Sequence, residues 1–533
     1  MAESTHSSDV AAQDDAHLRS LGIKPELQRT LGFLSNFAVA FSYLSVSTGT
    51  YTLFGLGLAV GGPVFFWSWP LVIAGQLFVA LNFAELSSHF PVAGSIYQWS
   101  KRLSNRTLGW FTGWLYFWAG VITVTAVAVT VPLVLSAIMG VDGSQFYGPF
   151  TWNVWVALGV IVITTLINAF GVRLLAIINN IGVAAEILGM LVFAGILLIF
   201  FSHQPLSVLT DTFGTESSAN GSYLPVFAVA AFMSLFVVYG FDTAGTFGEE
   251  TVDAGRHAPR GILSAIILSG AIGTVFILAI ILSTKDIAGE MAKVSTGASP
   301  IADAIQGNLG TSFGNIYLAV ILAAVFVCTM AIQGATARLM FSMGRDRRIP
   351  FGGTWGHVHP RFRTPVNAVV AVGILAALPF LILGSTSAGI VAIAATGTIY
   401  LSYWLCNVGV LVARSRGWPH RPSSFRLGSL GLVVNIVAVV YGLVMIINFA
   451  LWDWPAVFGD WGNGLRDGTN PNITALAFPG GEPLTGLPSW PIFETILGII
   501  FLVGLVYYVA VERSRVTDEA VAPDLATGEA LIG

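Results

Sequence analysis

Charge is scarce in this chain of 533 residues: Asp, Glu, Lys and Arg together make up 10% of it, against 55% hydrophobic residues. Soluble domains carry about 25% charged residues, and a water-exposed surface of this size cannot be covered with so few. The charges sit in short clusters between long apolar runs, each near the ~20 residues that cross a bilayer as a helix. Cysteine is almost absent, and Cys328 and Cys406 both fall inside apolar runs, where they read as small buried hydrophobes. No lysine follows a glycine, so the Gly-Lys-Ser/Thr phosphate loop of an ATPase is missing. All eight histidines lie at the ends of apolar runs or between them, whereas haem or a redox metal would need paired ligands inside helices. No recurring arginine ladder marks a voltage sensor. The reading therefore includes no cofactor, no metal and no nucleic acid. Residues Met1–Ser20 lack a basic segment ahead of an apolar one, so no cleavable signal peptide is expected there.

What is present are twelve apolar segments, at about 31–58, 62–88, 107–137, 151–170, 176–201, 222–248, 260–283, 313–343, 365–384, 387–413, 428–452 and 491–511. They are apolar on all sides without alternation, which excludes barrel strands and leaves helices. The expected fold class is all-α integral membrane, with twelve transmembrane helices. Orientation follows from the basic residues: with both termini cytoplasmic, 21 of the Lys and Arg fall on the inner side and 3 on the outer. A cytoplasmic tail (1–30), whose first twenty residues are expected to be disordered, precedes a core at 31–413. Helices 11 and 12 occupy 428–511, and a second cytoplasmic tail follows at 512–533. Two outer stretches are long: 284–312, a place for short surface helices, and 453–490, which carries the sequon Asn472-Ile473-Thr474.

Two segments are chemically unusual at mid-bilayer. The first carries Ser42, Ser45, Ser47, Thr48, Gly49, Thr50 and Tyr51. Small and hydroxyl residues there suit either tight helix packing or a broken helix at a binding site. The sixth carries Tyr239-Gly240-Phe241-Asp242-Thr243, an acid flanked by glycines, where an ionisable group is expensive unless it meets water, protein or substrate. Asp242 could contact an ammonium group or cap the second half of a broken helix. Interrupted helices five segments apart point to two repeats, 31–201 and 222–413, of inverted topology. Free amide N–H groups at such breaks suit a carboxylate, and freed carbonyls with hydroxyls suit an ammonium or cation. An amino acid has both. Phe241 could close over it or pack as an ordinary aromatic.

The string Tyr239-Gly240-Phe241-Asp242 followed by Glu249-Glu250-Thr251 resembles the amino acid–polyamine–organocation transporters. So do Pro91-Val92-Ala93-Gly94-Ser95-Ile96-Tyr97 and the run from Ala337 to Asp346, which leads to Ile349-Pro350. The motifs stand in family order over nearly the whole chain, and the amino acid/choline branch is the nearest in pattern. The resemblance implies an inverted repeat of five plus five helices with helices 1 and 6 broken, two further helices, and substrate held between helices 1 and 6. Much of the family ends its first unwound segment in Gly-x-Gly-Ile-Phe. Here Ser47 to Phe54 replaces that pattern, adding hydroxyls and Tyr51.

Glu186 follows the pair Asn179-Asn180. Some family members place a lysine there that stands in for a sodium ion. A glutamate could carry a proton, since burial disfavours a charged carboxyl, or it could be a structural acid paired with a hydroxyl or amide. Glu85, Glu249 and Glu250 lie near inner segment ends and are expected to form gate or loop ion pairs with Arg102, Arg256 or Arg345. The function expected is a secondary active transporter in the cell membrane. It would import an amino acid or a related amine such as γ-aminobutyrate, choline or ethanolamine by alternating access, coupled to protons or sodium. The candidate binding residues are Ser47, Thr48, Gly49, Thr50, Tyr239, Gly240, Phe241, Asp242 and Thr243, with Glu186 for ion coupling and Glu85, Glu249, Glu250 and Arg345 for gating. An exchanger or facilitator, a non-transporting solute receptor and a channel are the alternatives. A channel would need a continuous polar lining, whereas the polarity here is concentrated in two segments.

Overall fold

The computed structural model describes residues 2–219, 221–294, 299–383, 388–420, 423–451 and 492–513. The outer stretch 453–490 with its Asn472 sequon, and the tail beyond 513, lie outside the described residues. Helices dominate because the hydrocarbon core offers no water to backbone N–H and C=O groups, and a helix satisfies them within its own segment. Among the described residues, nine helices are long and apolar enough to cross a membrane: Phe33–Gly61, Pro63–His89, Arg106–Met139, Trp152–Phe170, Val172–Phe200, Ala254–Ser283, Pro300–Arg345, Ala392–Ser415 and Gly428–Ala450. Three shorter apolar helices, Tyr223–Val237, Val366–Leu381 and Ile496–Glu512, fall where further segments are read in the sequence.

In chain order, α1 is Ala2–Ser20, α2 Phe33–Leu44, α3 Val46–Gly61, α4 Ser68–His89 and α5 Ser95–Leu103. Then come α6 Arg106–Ala128, α7 Thr130–Met139, the hairpin strands β1 Phe146–Tyr147 and β2 Phe150–Thr151, α8 Trp152–Phe170 and α9 Val172–Phe200. The second half has α10 Tyr223–Ala230, α11 Phe232–Val237, α12 Thr243–Thr246, α13 Ala254–Ser283, α14 Ile287–Val294 and α15 Pro300–Arg345. It closes with α16 Gly352–Trp355, α17 Val366–Leu383, α18 Ala388–Ser415, α19 Gly431–Leu451 and α20 Ile492–Tyr507. The α2–α3 segment is the centre of the bundle: 89% of its apolar window is buried, against 28% for α9. The outward side chains of α9, among them Ile177, Ile181, Leu188 and Ile199, are exposed and apolar, as a face against lipid must be.

One expectation needs correction. The first twenty residues, expected to be disordered, form α1, which is held to the rest of the chain. Leu18 is buried in a small cluster with Ile23 and Val92, and Arg29 pairs with Asp14 and Asp15. The stretch 284–312, read as a place for short surface helices, holds α14 and the first part of α15, which a non-helical Gly310 (φ 77°) divides from the part covering the segment read at 313–343. The sixth segment, expected to be interrupted around Gly240 and Asp242, is so: irregular backbone from Val238 separates α11 from α12, and a turn at Ala231 separates α10 from α11.

Candidate functional site

The first break is a single residue. Ser45, at φ 28° and ψ 88°, stands between α2 and α3 in a conformation that is strained for a residue with a Cβ. Its N–H closes α2 on the Phe41 carbonyl at 2.8 Å, and its side chain caps α3 by accepting from the Thr48 amide at 3.4 Å. The exposed start of α3 attracts a carboxylate from another helix. Glu186 of α9 directs Oε1 at it and receives the Ser45 hydroxyl at 2.9 Å, the Ser47 hydroxyl at 2.6 Å and the Ser47 amide at 3.1 Å. Amide N–H groups and the positive end of a helix are both favourable partners for an anion. Glu186 is buried among them, and Cys328 of α15 sits beside it, its thiol on the Tyr43 carbonyl at 3.5 Å.

The remaining candidates on α3 are engaged locally. The Thr48 hydroxyl meets Ser45 Oγ at 2.6 Å, and Thr50 donates to the Val46 carbonyl at 2.6 Å. Gly49 has no room for a side chain: a Cβ there would lie 2.5 Å from Val237 Cγ2. This glycine lets α3 and α11 approach closely just before the second break.

That second break runs through Val238, Tyr239, Gly240 and Phe241. Gly240 takes φ 88°, which favours glycine, and a Cβ at this position would fall 1.9 Å from the ring of Tyr43. Its N–H donates to the Tyr403 hydroxyl at 2.8 Å. Tyr239 and Tyr43 face each other edge to face, their ring centroids 6.1 Å apart. Phe241 is fully buried between Phe83 and Tyr403, on the packed side of the break. Thr243 is buried at the start of α12.

Asp242 is neither a side-chain cap nor an open anion. Its backbone is already helical, at φ −64° and ψ −11°, and its carboxylate makes no capping bond to α12. The side chain instead receives hydroxyls from three other elements. Tyr116 of α6 reaches Oδ1 at 2.8 Å and Oδ2 at 2.9 Å, Tyr403 of α18 reaches Oδ1 at 2.5 Å, and Ser95 of α5 reaches Oδ2 at 2.8 Å. Sequence reasoning missed Tyr116, Tyr403 and Ser95. The available signal was phenols inside apolar segments, which need partners when buried.

The expected gate acids are paired, two of them with partners other than those anticipated. Arg345 grips Glu249 with two bonds, at 2.8 and 2.9 Å, while the Ala93 amide donates to the same carboxylate. Glu250 pairs with Arg338, which also lies 3.9 Å over the Phe247 ring. Arg338 precedes Arg345 by seven residues, about two helical turns, so both face the consecutive acids. Glu85 pairs with Arg414 of α18, the helix packed beside its own, and accepts the Leu427 amide at 3.0 Å. Arg102 instead donates to the Leu21 carbonyl. Nearby, Asp346 accepts from Lys101 at 2.7 Å, Gln98 at 2.9 Å and Tyr97 at 2.8 Å. Burial opposes its charge, but Lys101 and Arg345 outweigh that and hold the carboxyl below the usual range.

A bundle of apolar helices, two of its segments interrupted and with buried ion pairs among its helices, is that of a multi-pass membrane protein. Its fold is similar to that of MhsT, solved in complex with L-phenylalanine, with a TM-score of 0.57 at 14% identity over 80% of this chain and 99% of that one. The sequence profile of the amino acid permease family matches residues 31–476. The chain belongs to this family, within the amino acid–polyamine–organocation superfamily, and is a transporter of amino acids rather than an enzyme. It is 30% identical to the amino-acid permease BAT1 of Arabidopsis thaliana, over 83% of this chain and 89% of the relative. It is 26% identical to the branched-chain amino acid permease BcaP of Bacillus subtilis, over 76% and 84% respectively.

Proposed function

We propose that this permease imports an amino acid across the cell membrane by alternating access, with Glu186 coupling transport to a proton gradient. The observation that carries this reading is the meeting of a buried carboxylate with the broken start of α3. Ionised, Glu186 draws Ser45 and Ser47 of the first break towards α9. Protonated, it becomes a weaker acceptor and releases that grip. Such a group biases a two-state bundle through its differential contacts with α3.

Substrate is assigned to the space bounded by the breaks at Ser45–Thr50 and Val238–Thr243. The edge-to-face tyrosines 43 and 239 line the same region. In this reading Asp242, with Tyr116 and Tyr403, latches the inner side of the site. Glu85, Glu249, Glu250 and Arg345 close the path beyond it. The nine long and three shorter apolar helices are read as twelve transmembrane segments, with 31–201 and 222–413 as inverted repeats and both termini cytoplasmic. BcaP is a branched-chain amino acid permease and MhsT was solved in complex with L-phenylalanine, which favours neutral apolar amino acids in the first panel to be tried.

The test is uptake into proteoliposomes of labelled neutral and cationic amino acids, γ-aminobutyrate, choline and ethanolamine, with and without an inward proton gradient. Accumulation that needs the gradient supports the proposal. Flux indifferent to the gradient would replace it with an exchanger or facilitator.

A further inference from the structure

Three asparagines from three helices meet inside the apolar bundle: Asn82 of α4, Asn407 of α18 and Asn435 of α19, each at most 1% exposed. Asn407 stands at their centre. Its side-chain oxygen accepts from Asn82 at 3.0 Å, its own carbonyl accepts from Asn435 at 3.0 Å, and its Nδ2 donates to the Tyr403 carbonyl at 2.9 Å. Beyond Asn82 the network runs through Arg414, at 3.4 Å, to Glu85 and the Leu427 amide. Amides are expensive to bury, and leucines of similar size would hold three helices together without that desolvation penalty. Polar groups in such a place are best suited to specifying one register among several.

The register that matters is that of Tyr403, one turn before Asn407 on α18. Its hydroxyl has two partners in different places, accepting from the Gly240 amide and donating to Asp242. A phenol reaches far from its helix, so a small rotation of α18 moves the hydroxyl by a large amount. We propose that Asn407 is a positioning residue. It grips the Tyr403 carbonyl and, through Asn82 and Asn435, fixes α18 against α4 and α19, so that the Tyr403 hydroxyl holds the break at Gly240–Asp242. This rests on the reading of Asp242 and Tyr403 as the inner latch.

The test is a double-mutant cycle on transport by the full chain in proteoliposomes. Thr at position 407 can return a hydroxyl to the carbonyl four residues back, and Val has the same shape without it. Asn407→Thr should stay within about threefold of the wild-type maximal rate, while Asn407→Val falls about tenfold, the equivalent of one hydrogen bond, with KM changed less than twofold. In a Tyr403→Phe background the Thr and Val variants should differ by less than about twofold, because the hydroxyl they position is gone. A Thr–Val difference that persists undiminished in that background overturns the proposal and leaves Asn407 as helix packing. Should Asn407→Val fail to reach the membrane, Asn407→Ser and Asn407→Ala make the same comparison. A wild-type rate in Tyr403→Phe alone overturns both the latch and the role of Asn407. An absence of amino acid flux in the wild type would instead defeat the transport reading itself, and is seen before any variant is made.

Discussion

Glu186 and Ser47 join α9 to α3 by two hydrogen bonds on one carboxylate oxygen, from the hydroxyl at 2.6 Å and the main-chain amide at 3.1 Å. The two donors come from the same residue, so the carboxylate senses both the rotamer and the backbone position at the break. A third donor, Ser45, is the residue that makes the break. Protonation would remove the charge from all three bonds at once.

Glu186→Gln keeps the size of this side chain but removes its charge and its proton exchange. Substrate exchange across proteoliposomes with equal pH on both sides should stay within a few-fold of wild type. Gradient-driven accumulation should fall to the level set by the substrate concentration outside. Uphill uptake that survives the substitution would exclude Glu186 as the coupling group.

Asp242→Asn tests whether the acid serves the substrate or the latch. Its oxygens are occupied by Tyr116, Tyr403 and Ser95. The substitution weakens bonds to a charged acceptor, each worth about 1.5–3 kcal/mol, equivalent to roughly 10- to 150-fold in a rate or population. The maximal rate should drop by at least about tenfold while substrate affinity, measured by equilibrium binding, changes less than about threefold. A selective loss of affinity would place Asp242 against an ammonium group instead.

Much of the architecture was legible because bilayer physics is coarse: long apolar segments follow from solvation alone. The two irregular segments were legible for the same reason, since Gly240 and Asp242 have no ordinary place in a hydrocarbon core. The partners were not. Nothing in the sequence says that Tyr116, Tyr403 and Ser95 converge on one carboxylate, because they come from helices distant in the chain. Arg338 and Arg414 were missed as ion-pair partners because both lie in helices, where position depends on rotation and tilt rather than on proximity in sequence. The helix at the N-terminus was hidden by its polarity, Leu18 being its buried apolar anchor among the described side chains.

Arg338 and Glu250 form a pair whose side chains are 1% and 0% exposed. Arg338→Met leaves the Glu250 carboxylate buried without its guanidinium, a loss of about 3–5 kcal/mol by comparison with other buried pairs. The variant should unfold in detergent at a clearly lower temperature than wild type. Adding Glu250→Leu should restore most of the loss, since no uncompensated charge remains. If the double variant is no better than Arg338→Met, the cation–ring contact with Phe247 is the greater part of the role of Arg338.

The N-terminal helix is the last contact that can be isolated. Leu18 anchors α1 against Ile23 and Val92, while His17 reaches the His89 carbonyl at 3.0 Å and the Asp253 amide donates to Asp14 at 2.8 Å. Burying one leucine side chain contributes about 1.5–3 kcal/mol, so Leu18→Asp should raise the undocked population roughly 10- to 150-fold. Trypsin reports that population when docking is fast relative to cleavage. Arg19 is the informative site, because Lys24 is followed by Pro25 and Arg29 is tied to Asp14 and Asp15. Cleavage after Arg19 in the reconstituted protein should accelerate at least tenfold in Leu18→Asp, with the thermal stability of the helical bundle unchanged. Equal cleavage rates in the two proteins would mean that α1 is held by its polar contacts alone, and Arg29→Gln should then produce the acceleration instead.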